Sequence, residues 1–147
     1  MARNERRSTR KQGFNARKEN TRSERIVDNK DDQKMVFSFK DFDCTQKFGQ
    51  TYREWQENGL LAYMLEEFGH FCQWTRVEAE QEDILEVYGN FPKSSKFKHP
   101  KHIATDVEWA VIRNVKGQKG RVAGYVIGNV FYVVFLDMDH QFWKTKR

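Results

Sequence analysis

Val107-Glu-Trp-Ala-Val-Ile-Arg-Asn-Val115, Arg121-Val-Ala-Gly-Tyr-Val-Ile127 and Val130-Phe-Tyr-Val-Val-Phe-Leu136 are three runs rich in β-branched and aromatic residues. Lys116-Gly-Gln-Lys-Gly120 separates the first two, and Gly128-Asn129 separates the last two. Such punctuation predicts a three-stranded antiparallel meander. In the first run Val107, Trp109, Val111 and Arg113 share one face while Glu108, Ala110 and Ile112 share the other, so neither face is cleanly apolar or polar. The third run is apolar throughout, which predicts an interior strand covered on both faces. It leads into Asp137-Met-Asp-His140-Gln-Phe-Trp143. Asp137, Asp139 and His140 are therefore expected at the rim of the sheet, and that rim is the first candidate site.

Upstream, Met35-Val-Phe-Ser-Phe39 alternates in part and predicts a short strand with Phe37 and Phe39 on one face. Thr51-Tyr-Arg-Glu54 has capping-box spacing. It opens a helical segment to about Gln73 whose apolar stripe is Trp55, Leu61, Met64, Leu65, Phe68 and Cys72, with Asn58-Gly59 able to break it. Thr75-Arg-Val-Glu78 repeats the cap signal. Val77, Ile84, Leu85 and Tyr88 then predict a second, shorter amphipathic helix ending near Gly89. Phe91-Pro92 stops it. A connector follows in which residues 93–102 hold four lysines and two histidines.

Residues 1–34 carry 11 basic and 6 acidic side chains and almost no large apolar ones, so they are expected to form a disordered basic arm, leaving 35–147 as one α+β domain. The net charge of +5 hides a division: residues 35–92 hold 4 basic and 11 acidic groups, and 93–147 hold 11 basic and 4 acidic. A polyanion such as RNA would be drawn to the arm and to the carboxy-terminal sheet, and repelled by the middle. Hydrophobic content is 38% but aromatic content is 14%, which fits a compact aromatic core with a polar appendage. The amino terminus lacks an apolar signal region and no run has the roughly 18 apolar residues of a membrane span, so a cytoplasmic protein with no membrane association is expected. Cys44 and Cys72 have no paired spacing and read as free thiols.

Two constellations carry chemistry. Metal-independent RNA cleavage needs a group to take the proton from a ribose 2′-OH, cations for the charged phosphorane and an acid for the leaving 5′-oxygen. His99, His102 and His140 offer proton transfer near neutral pH, and Lys98, Lys101, Arg113 and Arg121 offer the cations. The alternative joins His99 and His102 to Asp137, Asp139 and His140 as metal ligands. Pro100 between the first two disfavours helical presentation of that pair, and no metal is expected. No phosphate loop, nucleophile elbow or dinucleotide fingerprint occurs, so no cofactor is expected. Arg6, Arg7, Arg10, Lys11, Arg17 and Lys18 of the arm, with Lys96, Lys101 and His102 of the connector, are the candidate RNA contacts.

Phe97-Lys-His99 before Trp109-Ala-Val-Ile-Arg113, then Arg121-Val-Ala-Gly-Tyr125, then Val133-Val-Phe-Leu136 leading to His140-Gln-Phe142, resembles the motif order of the RelE/YoeB-like toxins of type II toxin–antitoxin systems. The resemblance spans about Met35 to Trp143. It implies a β-α-α-β-β-β domain, an antiparallel sheet packed on two helices, and a metal-free endoribonuclease cutting mRNA in the ribosomal A site. It further implies a cognate antitoxin, phosphate-binding roles for Lys98, Arg113 and Arg121, and His140 at the end-of-strand catalytic position; His99 completes the catalytic candidates by its residue type. Phe142 stands near the end-of-strand position where the family places a His or Tyr, and it lacks the hydroxyl. Asp137 and Asp139 put negative charge where the family has a basic or neutral rim. Two other readings remain: a non-catalytic RNA- or ribosome-binding protein on the same fold, and a protein–protein interaction module using the acidic helices.

Overall fold

The structure is a computed structural model that describes residues 33–115 and 120–143. The described chain runs β1 (Val36–Ser38), α1 (Tyr52–Glu57), α2 (Leu61–Phe71), α3 (Arg76–Gln81), β2 (Leu85–Gly89), β3 (Glu108–Val115), β4 (Gly120–Ile127) and β5 (Val130–Asp137). The strands form one sheet in the order β1-β5-β4-β3-β2. The expected meander is β3–β4–β5, and β5 is interior. Two strands extend it. β2 adds to β3 antiparallel, and β1 pairs with β5 in parallel, so the sheet is mixed and not antiparallel throughout.

The helical region departs from expectation at its carboxy-terminal end and in the face that α2 buries. Thr51 forms the full capping box, its hydroxyl accepting from the Glu54 N–H while the Glu54 carboxylate accepts from the Thr51 N–H. Gly59, at φ +71, breaks the segment where Asn58-Gly59 predicts. Thr75 also caps, but its helix stops after two turns at Gln81, and Asp83 in the left-handed region at φ +60 turns the chain into β2. Ile84, Leu85, Val87 and Tyr88 thus belong to an edge strand and its approach, not to a helix. Their β-branched and aromatic character suits the pleated surface. The order is therefore β-α-α-α-β-β-β-β, with three helices among the described residues.

Each sheet face has its own core. On one face α1–α3 pack Trp55, Met64, Phe68 and Phe71 against Ile112, Val122 and Phe131. Phe37 stacks on Phe68 with ring centroids 3.9 Å apart. The stripe of α2 is rotated from expectation: Leu65 is 55% exposed and Cys72 lies outside, while Phe71 is fully buried. On the opposite face no helix of the described residues packs. There the 91–107 connector and the chain after β5 fold back, and Phe97, Trp109, Phe135 and Phe142 form a second cluster. Two covered faces explain why the strand at Val107–Val115 does not alternate cleanly.

A β-bulge sets which face carries the candidate site. Ala123 pairs with Phe135 but Gly124 pairs with Val133, leaving Val134 as an extra residue. Val134 and Phe135 both join the loop-side cluster, so the alternation restarts one residue late. Asp137 consequently lies on the loop face; a regular strand would send it towards the helices. The unpaired carbonyl of Val134 accepts from the Asp43 N–H at 2.8 Å, which ties the 39–51 segment to the sheet.

Candidate functional site

The bulge and the strand register bring together residues far apart in sequence. Tyr88 of β2, Arg113 of β3, Arg121 of β4, Asp137 of β5, and His140 and Trp143 beyond it surround a cleft of about 110 Å³. Arg121 and Asp137 are direct cross-strand partners. The Asp137 side chain is buried, and its two oxygens accept from the backbone N–H groups of Gln141 at 2.9 Å and Phe142 at 2.8 Å. That cap closes the turn in which His140 adopts φ +58. Asp137 is therefore a structural anchor for the turn. Burial pushes its carboxyl above the ordinary aspartate value, opposed by the hydrogen bonds from Gln141 and Phe142 and by His140.

The two guanidinium groups differ in their surroundings. Arg121 is partly buried, and burial together with the like charge of Arg113 lowers its basicity, while Tyr88 and Asp137 act the other way. Arg113 makes an ion pair with Glu86 on the neighbouring strand. Burial raises the Tyr88 phenol above its ordinary value, opposed by Arg121. The Tyr88 ring stacks on Trp143 with centroids 4.1 Å apart and planes 13° from parallel. The cleft thus combines two cations, an imidazole, a protonated phenol and a stacked aromatic pair whose Trp143 is 37% exposed.

Lys98 and His99 are elsewhere. With Lys96, Lys101 and His102 they line a larger groove of about 710 Å³ between the 91–107 connector and the 42–48 segment. The Gln46 side chain clasps the Lys98 backbone there: its amide donates to the Lys98 carbonyl at 2.8 Å and its carbonyl accepts from the Lys98 N–H at 2.7 Å. The ring of His99 packs edge-on to Trp109 at 5.3 Å and beside Phe91, with Nδ1 at 2.9 Å from the Pro100 carbonyl. It lies at the groove wall and does not line the arginine cleft. Phe142 is likewise core, packed on Phe91, Phe97, Trp109 and Phe135.

The five catalytic candidates are thereby divided: Arg113, Arg121 and His140 converge, and Lys98 and His99 do not join them. His99 and His102 also stay apart from Asp137 and His140. Among the described residues no group of three or more His, Cys, Asp or Glu converges in a metal-binding arrangement. Arg6, Arg7, Arg10, Lys11, Arg17 and Lys18 lie outside the described residues. Sequence reading missed Tyr88, Glu86 and Trp143. Period-two alternation over Leu85–Gly89 is the signal that places Glu86 and Tyr88 on the Arg113 side of the sheet.

In comparison with known proteins, no family model, curated protein or solved structure matches the chain. No described helix is long and apolar enough to cross a membrane.

Proposed function

We propose that the protein engages RNA at the Arg113–Arg121–His140 cleft and cleaves it without a metal, as a RelE-like, toxin-type endoribonuclease acting on mRNA in the cytoplasm. The ribosome would be the site of action and a cognate antitoxin the inhibitory partner. The observation that carries this reading is the convergence of Arg113, Arg121 and His140 in one cleft with Tyr88 and Trp143. A phosphodiester seated between the two guanidinium groups would have its charge offset as it grows in the phosphorane. His140 would take the proton from the 2′-OH, whose oxygen bonds to phosphorus as the bond to the 5′-oxygen breaks. That oxygen leaves with a proton from Tyr88 or water, and the other product is a 2′,3′-cyclic phosphate. Trp143 offers a face on which a flanking base can stack.

The binding-only reading is favoured by one specific feature. The cleft holds a single imidazole, and the side chain set to act as the second proton carrier, Tyr88, is a phenol whose pKa is raised. Retained affinity without turnover is the outcome if Tyr88 cannot supply that proton.

The deciding experiment incubates purified protein with a defined mRNA, with and without ribosomes and with EDTA in parallel, and maps ends by primer extension. Ribosome-dependent cleavage that survives EDTA supports the nuclease. Binding with no cleavage in any lane supports the binding protein, and neither binding nor cleavage removes both.

A further inference from the structure

We infer that the groove between the 42–48 and 96–102 segments is a second anion site, which holds the sugar-phosphate backbone of single-stranded RNA flanking the residue bound in the arginine cleft. This inference rests on the RNA reading of that cleft. Four lysines, Lys47, Lys96, Lys98 and Lys101, line the groove with two histidines. All four lysines are exposed and so are accessible to phosphates from solvent. Among the described lining residues the one carboxylate, Asp43, is turned to its own loop: Oδ1 accepts from the Thr45 N–H at 2.9 Å and the Thr45 hydroxyl at 2.6 Å, and Oδ2 accepts from the Gln46 amide at 3.2 Å. Phe48 is half-buried in the wall with Lys47 5.6 Å from its ring centroid, an aromatic and a cation side by side as single-strand sites use them.

The walls are fixed. The Gln46–Lys98 clasp joins the two segments, and Phe97 stacks on Phe135 of β5 at 4.3 Å, anchoring the lysine segment to the sheet. The groove and the arginine cleft are also coupled, because the Lys96 N–H donates to the Gln141 carbonyl at 2.9 Å, one residue from His140. Both lie on the sheet face opposite the three described helices. A volume of about 710 Å³ is far more than one phosphate requires and suits a stretch of backbone.

The test compares binding of a labelled dinucleotide and of a single-stranded RNA of about 12 nucleotides, a length typical of single-strand sites. Fluorescence anisotropy is read over a range of salt for the wild type and for a variant combining Lys47→Ala, Lys96→Ala and Lys101→Ala. We expect the wild type to prefer the longer RNA. The triple variant should bind it at least about tenfold more weakly, with a log–log salt slope flattened by about 2, the loss of three single-strand phosphate contacts. Its dinucleotide affinity should be unchanged, and Lys→Arg at the same positions should restore longer-RNA binding. Wild-type affinity of the triple variant for the longer RNA, with both RNAs weakened by Arg121→Ala, would overturn the groove and leave the cleft standing. No binding of either RNA by the wild type overturns both. Binding of poly-glutamate but not of RNA would make the groove an acidic-peptide site and overturn the inference. Urea unfolding of the triple variant alongside distinguishes lost contacts from lost fold.

Discussion

Arg121 and Asp137 stand opposite one another on β4 and β5, and both face the cleft that holds His140. The aspartate looks from sequence like a negative charge spoiling a phosphate site. It is instead held by two backbone N–H groups that would be left without acceptors in its absence. Asp137→Ala should therefore lower stability by about 2–4 kcal/mol, the cost of leaving one buried and one part-buried donor unsatisfied. The same change should loosen the His140 turn and reduce RNA cleavage. Urea unfolding and a cleavage assay on the one variant check both effects.

The Asp137 carboxyl is raised by burial, and this gives stability a pH dependence of defined sign. A group whose native pKa exceeds its unfolded value binds a proton more tightly in the fold. Its contribution therefore becomes more favourable as pH falls through the raised native value towards the ordinary aspartate value of about 4. Asp43, whose carboxyl sits below the ordinary value because hydrogen bonds from Thr45 and Gln46 outweigh burial, acts oppositely, so the prediction concerns a difference. The stability of the wild type relative to Asp137→Asn should increase as pH falls through that window. A flat difference would show that the hydrogen bonds from Gln141 and Phe142 offset burial, and a shrinking one that they outweigh it.

Glu86 competes with any phosphate for Arg113. The pair is about one-third exposed on both sides, so it contributes at most about 1 kcal/mol to the fold. Glu86→Gln should release Arg113 to an incoming anion and tighten RNA binding by up to roughly fivefold, the same energy read as affinity. Stability should change little. Weaker binding in this variant would mean that Glu86 positions Arg113 for the ligand instead of occupying it.

The meander was legible because Gly and Asn punctuate three β-rich runs, and the helix starts because Thr51 and Thr75 carry their glutamates three residues on. The break between α3 and β2 was not. Ile84, Leu85 and Tyr88 continue a helical spacing from Val77, and only Asp83 in a left-handed conformation resolves the ambiguity of a short apolar run. Misreading that strand hid Glu86 and Tyr88 from the site. Arg113, Arg121 and His140 could be proposed from residue type, but their meeting depends on a bulge at Val134 that no local pattern announces. Lys98 and His99 fell into the same chemical class and went to a different groove, because the packing of Phe97 on Phe135 decides where that segment lies.

His140 tests catalysis most directly, and its backbone dictates the substitution. At φ +58 it occupies a region that alanine tolerates poorly and asparagine well. His140→Asn should keep stability within about 0.5 kcal/mol of the wild type. Removing the imidazole should lower cleavage by about a hundredfold or more, the range for loss of a general base. RNA affinity should hold, since the arginines remain. Full cleavage by His140→Asn would move the base to another residue and remove His140 from the mechanism.

Gly124 sits where β4 meets the bulge, and a Cβ built there would collide with the Tyr132 carbonyl oxygen and come within 3.0 Å of the Phe131 ring. Neither neighbour can yield easily. Tyr132 O belongs to the ladder backbone, and Phe131 is fully buried in the helix-side core. Gly124→Ala should cost about 1–3 kcal/mol as an overpacked core position, read by thermal or urea unfolding. The functional consequence follows from register. If β4 and β5 separate at this point, Asp137 loses its place opposite Arg121, and the turn carrying His140 is released with it. RNA cleavage should then fall further than stability alone predicts, although the substituted residue does not line the cleft. Activity falling only in step with the folded fraction would mean that the bulge holds the sheet together without setting the site.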